Sequence, residues 1–261
     1  LVAPGDTVDV DNDNSTIARL IGVVAPAEAS IWEALQQIHN SFNPATATGY
    51  ALDNIVALSG ISRMPAKATS AQVVLTGTVG TLLTTSAKMS APNTQRLFSL
   101  NTSVTLDANQ ASGIQTTTLT IDNLTAYTVS YSVDNTAFTD LVYTSDAGAT
   151  QSEILLGLKG VIDSSTGGIF TTSIDADNRL HIDCTDPFQT LYFTASANMT
   201  IPKVSKLGVA ISDTLGPLGQ AANTINTIAV PVSGWDSVYN PLTATTGRYE
   251  ETDEELRERF T

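Results

Sequence analysis

The apolar positions of this chain change period once, near residue 65. Before that point, AEASIWEALQQIHNSF places Ile31, Leu35, Ile38 and Phe42 at intervals of 4, 3 and 4, one stripe of an amphipathic helix that follows Pro26. Asn43 and Pro44 stop it. Upstream, Ile17, Leu20, Ile21 and Val24 predict a short helix that Asn14 or Ser15 can cap. Downstream, Leu52, Ile55, Val56 and Leu58 predict a third helix, ended by Gly60.

From Ala71 the pattern shortens to the alternation of strands. QVVLTG and TVGTLLTTSAKMS read as a strand pair in which Gly77 and Gly80 supply turn geometry, and RLFSL and TSVTL continue the meander. The stretch from Asp107 to Gly113 has the composition of a linker. Beyond it, TTTLTIDNL, AYTVSYSV and FTDLVYT predict strands, with a turn at Asp134 and Asn135. Thr150 and Glu153 have the T-x-x-E spacing of a capping box, with Ile154, Leu155, Leu158, Val161 and Ile162 behind it as a helix face. A hairpin about Asp177 and Asn178 and a closing strand, TLYFTAS, complete the segment. After Ile201 and Pro202 the chain is expected to rejoin the first β unit, with TINTIAVPV as a strand and GWDSVYNP as a loop.

Near the end, Thr252 and Glu255 form another capping box. Asp253 and Glu254 suit the positive end of a helix dipole, and Arg257 and Arg259 the negative end. The helix breaks off after barely two turns, so the natural protein is expected to continue.

The expected class is α+β. Residues 1–64 form a helical N-terminal region, 65–115 with 201–250 a discontinuous, mainly β core domain, and 116–200 an inserted α+β module. Residues 251–261 start the truncated C-terminal helix.

Composition narrows what such a fold does. The 38 threonines among 261 residues favour strand and turn, because β-branched side chains lose little on a pleated surface. Lys and Arg number 12 against 26 Asp and Glu, a net charge of −14, which leaves no cationic surface for nucleic acid. Apolar runs fall far short of the ~18 residues of a membrane helix, and the N-terminus lacks the basic and apolar regions of a signal peptide. A soluble protein with no membrane insertion is expected.

Catalytic equipment is sparse. Asp9, Asp11 and Asp13 start a calcium-loop spacing, but Asn14 stands where Gly is needed and Leu20 where the bidentate Glu is needed. His39 and His181 are far apart with no clustered ligands, and Cys184 has no adjacent cation to activate it. No enzymatic activity, no metal and no cofactor are expected. Trp235 in SGWDSVYNP can be a sugar platform or an interface anchor, or can join Tyr239 in pinning the loop to the sheet; pinning is the simpler reading.

Three segments together resemble the baseplate J family: GYALDNIVALSGISRMPA (49–66), QVVLTGTVGTLLTTSAKMS (72–90) and TINTIAVPVSGWDSVYNPLTATTGRYEETDEELRERF (224–260). The order G-W-x-S-V-x-N-P, T-G-R, E-T-D-E-E-L-R-x-R is the most specific part. The glycine-rich hairpin within 72–90 departs from the family pattern, with Thr84, Thr85 and Ser86 where relatives tend to carry Pro and Gly. The resemblance implies a structural wedge protein in the virion baseplate of a contractile tail or related injection system, made and assembled in the bacterial cytoplasm. It would contact a second copy of itself and other wedge and hub proteins, join wedges into a ring, and take part in the shape change that triggers sheath contraction. Ile31, Leu35, Ile38 and Phe42, with Trp235, Tyr239 and Leu256, are the candidate interface residues. A carbohydrate-binding or adhesin module is the alternative.

Overall fold

The computed structural model describes residues 16–260. The chain is a mixed α+β fold of two compact units. In chain order the elements are α1 (Thr16–Ser41), α2 (Tyr50–Ala57), β1 (Ala68–Thr78), β2 (Leu82–Leu83), β3 (Lys88–Ala91), β4 (Arg96–Leu100), β5 (Val104–Thr105), β6 (Ala111–Thr118), β7 (Ala126–Ser132) and β8 (Thr139–Thr144). There follow α3 (Gln151–Ser165), β9 (Phe170–Ile174), β10 (Leu180–Cys184), β11 (Tyr192–Ala195), β12 (Met199–Leu215), β13 (Thr227–Ile228), β14 (Trp235–Tyr239) and α4 (Asp253–Phe260).

Among the described residues, the first unit joins those up to Pro65 to those from Glu250 onward, so the N-terminal helices and the C-terminal helix belong to one unit. The two helices expected on either side of Pro26 are one, α1, which runs through the proline. Asn14 and Ser15, the expected caps, and the acidic run at Asp9, Asp11 and Asp13 lie outside the described residues. α2 buries Leu52 and Val56 against Ala47 and Leu256, with Ile55, Ile61 and Phe260 at the margin. The capping box of α4 is reciprocal: the Thr252 amide donates to Glu255 Oε2 at 2.8 Å and the Glu255 amide to Thr252 Oγ1 at 3.3 Å.

The second unit spans Ala66–Tyr249 and is organised by β12. One edge of this 17-residue strand pairs antiparallel with β1, and the other pairs with β6 and then with β4. The resulting nine-stranded sheet continues through β6 to β10 and β9, through β4 to β3 and β13, and from β1 to β14. Pro202 falls where the β12–β6 register slips between Thr200 and Lys203, a place where a strand tolerates a residue without an N–H. β11, β7 and β8 form a three-stranded sheet, and α3 packs on β6, β7, β8 and β9.

This architecture corrects the expected domain boundary. Residues 116–200 are no separate module, because β9 and β10 extend the main sheet and β6 crosses the boundary. Ile154, Leu155 and Leu158 of α3 share one continuous core with Val73, Leu75, Phe98 and Val204. Pairing differs too: β1 does not pair with the segment that follows it, and GWDSVYNP contributes a strand, β14, rather than a loop. Of TINTIAVPV only β13 is strand.

Gly77 lies within β1, not in a turn. A Cβ there would collide with the Gly234 carbonyl oxygen, so close backbone approach explains this glycine. Gly80, at φ 88°, does make the turn. The expected turns at Asn135 and Asn178 are present, both with positive φ.

Candidate functional site

α1 presents an apolar stripe without a covering within its own unit. Ile31, Leu35, Ile38 and Phe42 are 58%, 51%, 55% and 78% exposed. Val24 and Ile21, one and two turns before Glu28, are exposed as well. Positions 21, 24, 28, 31, 35, 38 and 42 therefore alternate steps of three and four, apolar at all but Glu28, which is the repeat of a coiled-coil seam. With 26 residues, α1 is about 39 Å long. Burying a Leu, Ile or Phe side chain fully is worth about 1.5–3 kcal/mol, so the stripe holds a substantial unrealised association energy. Trp32 widens it.

Beside it, the same unit ties its two chain segments with charge. Arg63 donates through Nε to Asp53 at 2.8 Å, through Nη2 to Asp253 at 2.6 Å and through Nη1 to the Glu251 carbonyl at 2.7 Å. Asp253 also accepts from the Gly49 amide at 3.1 Å. Arg259 reaches Glu251 through Nε at 2.8 Å and the Ser62 carbonyl at 2.6 Å, and Arg257 reaches the carbonyls of Pro44 and Ala47. The bond from Arg63, then that from the Gly49 amide, hold the Asp253 carboxyl below its ordinary value. Arg259 does the same for Glu251, and the two aspartates raise the Arg63 guanidinium above its own. Apart from Pro44 and Ala47, these residues lie in the segments 49–66 and 250–260, so each segment is the other's partner.

The remaining candidates divide. Leu256, expected at an interface, is fully buried in the core of its own unit. Trp235 is 6% exposed, packed in the main core with its indole N–H donating to the Ser237 carbonyl at 3.0 Å, so it offers neither a sugar platform nor an outward anchor. There is no loop to pin, because the segment is strand β14, and Trp235 packs that strand into the main core. Tyr239 is 37% exposed on β14 and lines a cleft.

His39 lies exposed in the last turn of α1, and His181 Nε2 lies 3.0 Å from Asp175 Oδ2. Burial, followed by Asp183 and Asp186, pushes the Cys184 thiol up to about 12, which leaves it protonated and inert at neutral pH. Among the described residues no group of three or more His, Cys, Asp or Glu could hold a metal ion, and no helix is long and apolar enough to cross a membrane.

A scan against protein-family models finds no match, and a search of curated proteins finds none either.

Proposed function

We propose that this protein is a structural wedge component of a contractile-tail baseplate, joining wedges into a ring around the hub and taking part in the shape change that releases sheath contraction. The exposed seam of α1 carries the reading. A helix that shows Ile31, Leu35, Ile38 and Phe42 to water, on a unit whose own core is complete without them, is built to be covered by other chains. Closed rings are assembled from such repeated contacts and require no active site.

The resemblance of 49–66 and 224–260 to baseplate J proteins supplies the setting, and the Arg63 and Arg259 network binds residues of those two segments into a rigid base within the unit that carries the seam. The partners are a second copy of this chain and other wedge and hub proteins, in the virion tail. No catalysis, nucleic acid or membrane insertion enters this role.

Electron microscopy of particles labelled with antibody against this chain tests it. Label on the disc at the distal end of a contractile tail is the expected result. Label confined to fibre tips would replace the wedge reading with an adhesin.

A further inference from the structure

The second unit holds a polar cleft that the wedge role does not use. Its volume is about 270 Å³, and Pro187, in the loop after β10, forms part of its wall. Register lays a row along one face of the main sheet: Ser237 of β14 beside Thr76 of β1, Thr76 beside Ser205 of β12, Ser205 beside Gly113 of β6, and Gly113 beside Asp183 of β10. Gly113 lets the row close up. A Cβ on it would overlap Asp183 Oδ1, so the carboxylate lies over the glycine, on the strand next to Ser205.

These polar groups are only partly matched by one another. No group among the described residues hydrogen-bonds the Asp183 carboxylate, which is open to solvent yet ringed by protein atoms, and burial raises its pKa against the pull of His181. Thr76 and Ser205 share a hydrogen bond of 2.8 Å, which uses one of their two hydroxyl protons and leaves the other to be accepted. The Ser237 hydroxyl has no partner among the described residues. The cations nearby are committed elsewhere, Lys203 to Asp236, Lys206 to Asp107 and His181 to Asp175.

A ligand that completes this row must donate to a carboxylate and accept from hydroxyls beside it. Ammonium and guanidinium ions only donate; carboxylate and phosphate only accept, and Asp183 repels them. A hydroxyl does both. Because such groups recur at Asp183, at the Thr76–Ser205 pair and at Ser237, a ring bearing several hydroxyls gains contacts that a single alcohol or amide does not. Tyr239 stands two residues along β14 from Ser237, hence on the same face, and its partly exposed ring lines the cleft. Burial and then the Asp183 charge raise its pKa, so the two residues share this space. We propose that the cleft binds a saccharide, neighbouring hydroxyls of one sugar ring donating to Asp183 and accepting from the Thr76–Ser205 pair, with the C–H face of the ring toward Tyr239.

The test is a titration of the ¹⁵N-labelled full chain with methyl β-D-glucopyranoside, methyl β-D-galactopyranoside, cellobiose and lactose, read at the amides of Gly113, Asp183 and Tyr239, with cyclohexanol, acetamide and methylguanidinium as controls. At least one glycoside is expected to saturate with a Kd of about 10 mM or tighter, and each control to bind at least about tenfold more weakly. Asp183→Asn, which removes the charge from the accepting group, should weaken that glycoside about tenfold, and Tyr239→Ala, at the rim, should weaken it severalfold. The spectrum of each variant shows whether it is folded.

A disaccharide that binds about tenfold tighter than its methyl glycoside identifies the ligand as a glycan chain running on along the row toward Ser237; equal binding identifies a single sugar. Absence of saturable shifts at these amides with all four sugars, equal binding of any control, or unchanged affinity in a folded Asp183→Asn chain overturns the proposal.

Discussion

Arg63 shows how much one side chain carries in a unit with a small core. It is mostly buried and makes three charge-assisted bonds to residues 10, 188 and 190 positions away, so it closes the unit's chain ends as a clip would. Its loss leaves Asp53 and Asp253 near enough to water to be resolvated, which keeps the cost moderate. Arg63→Ala is expected to destabilise the first unit by about 1.5–3 kcal/mol, measured by hydrogen exchange at the amides of Asp53 and Leu256 in the full chain.

The same bonds set an acid limit. Asp253 and Glu251 have folded-state pKa values below their unfolded ones, about 4, so their contribution is complete above that range and is lost as pH falls through the lower folded values. Protection of those amides relative to the unfolded chain at the same pH should fall below about pH 4, and Arg63→Ala should flatten the dependence. Equal acid sensitivity in the wild type and the variant would exclude Arg63 as the source.

At the scale of elements, caps and turns are legible in the sequence and pairing is not. Thr150 caps α3 as its spacing says, the Glu153 amide donating to Thr150 Oγ1 at 3.2 Å, because a cap is decided within four residues. The Glu153 side chain, however, bonds the Tyr143 hydroxyl on β8 instead of the Thr150 amide, a choice made by a neighbour ten residues away. Strand partners are likewise non-local: β1 finds β12 more than 120 residues later. The alternation of Val204, Lys206, Gly208 and Ala210 mixes charge and glycine into the inward positions, so β12, the spine of the sheet, carries no clean period. β14 is hidden for a related reason, five residues between a glycine and an Asn-Pro pair. The stripe of α1 from Ile31 to Phe42 is plain in the spacing, but Pro26 masks its continuation to Ile21.

Pro26 lacks the N–H that would bond the Gly22 carbonyl, and a proline inside a helix costs about 3 kcal/mol relative to alanine. Pro26→Ala should therefore raise helix content over residues 19–30, seen as slower amide exchange there. Leu35→Ser with Ile38→Ser removes apolar surface that the unit's fold does not use, so the thermal midpoint should change little while incorporation into particles is lost. Incorporation at the wild-type level would remove the seam from the assembly.

For the whole molecule, the division falls between residues 65 and 66 and again between 249 and 250, not around an insertion. Each unit has its own core, and that of the second draws on residues from Ala71 to Ala244. Excising 116–200 with a short linker would remove β7 to β11 and α3, take the β10 partner from β6, and open Phe98, Ile114 and Val204 to water. Losing two or three large core side chains, at about 2–5 kcal/mol each, is already comparable to the 5–15 kcal/mol that holds a domain together, and the excision removes many more. The excised chain should fail to fold cooperatively, whereas residues 66–249 alone should show a single urea transition and a dispersed amide spectrum. A well-folded excision product would mean that β1, β3, β4, β12 and β14 form a self-sufficient core; the continuity of the sheet through β6 into β10 argues that they do not, because β6 is the strand on which both halves close.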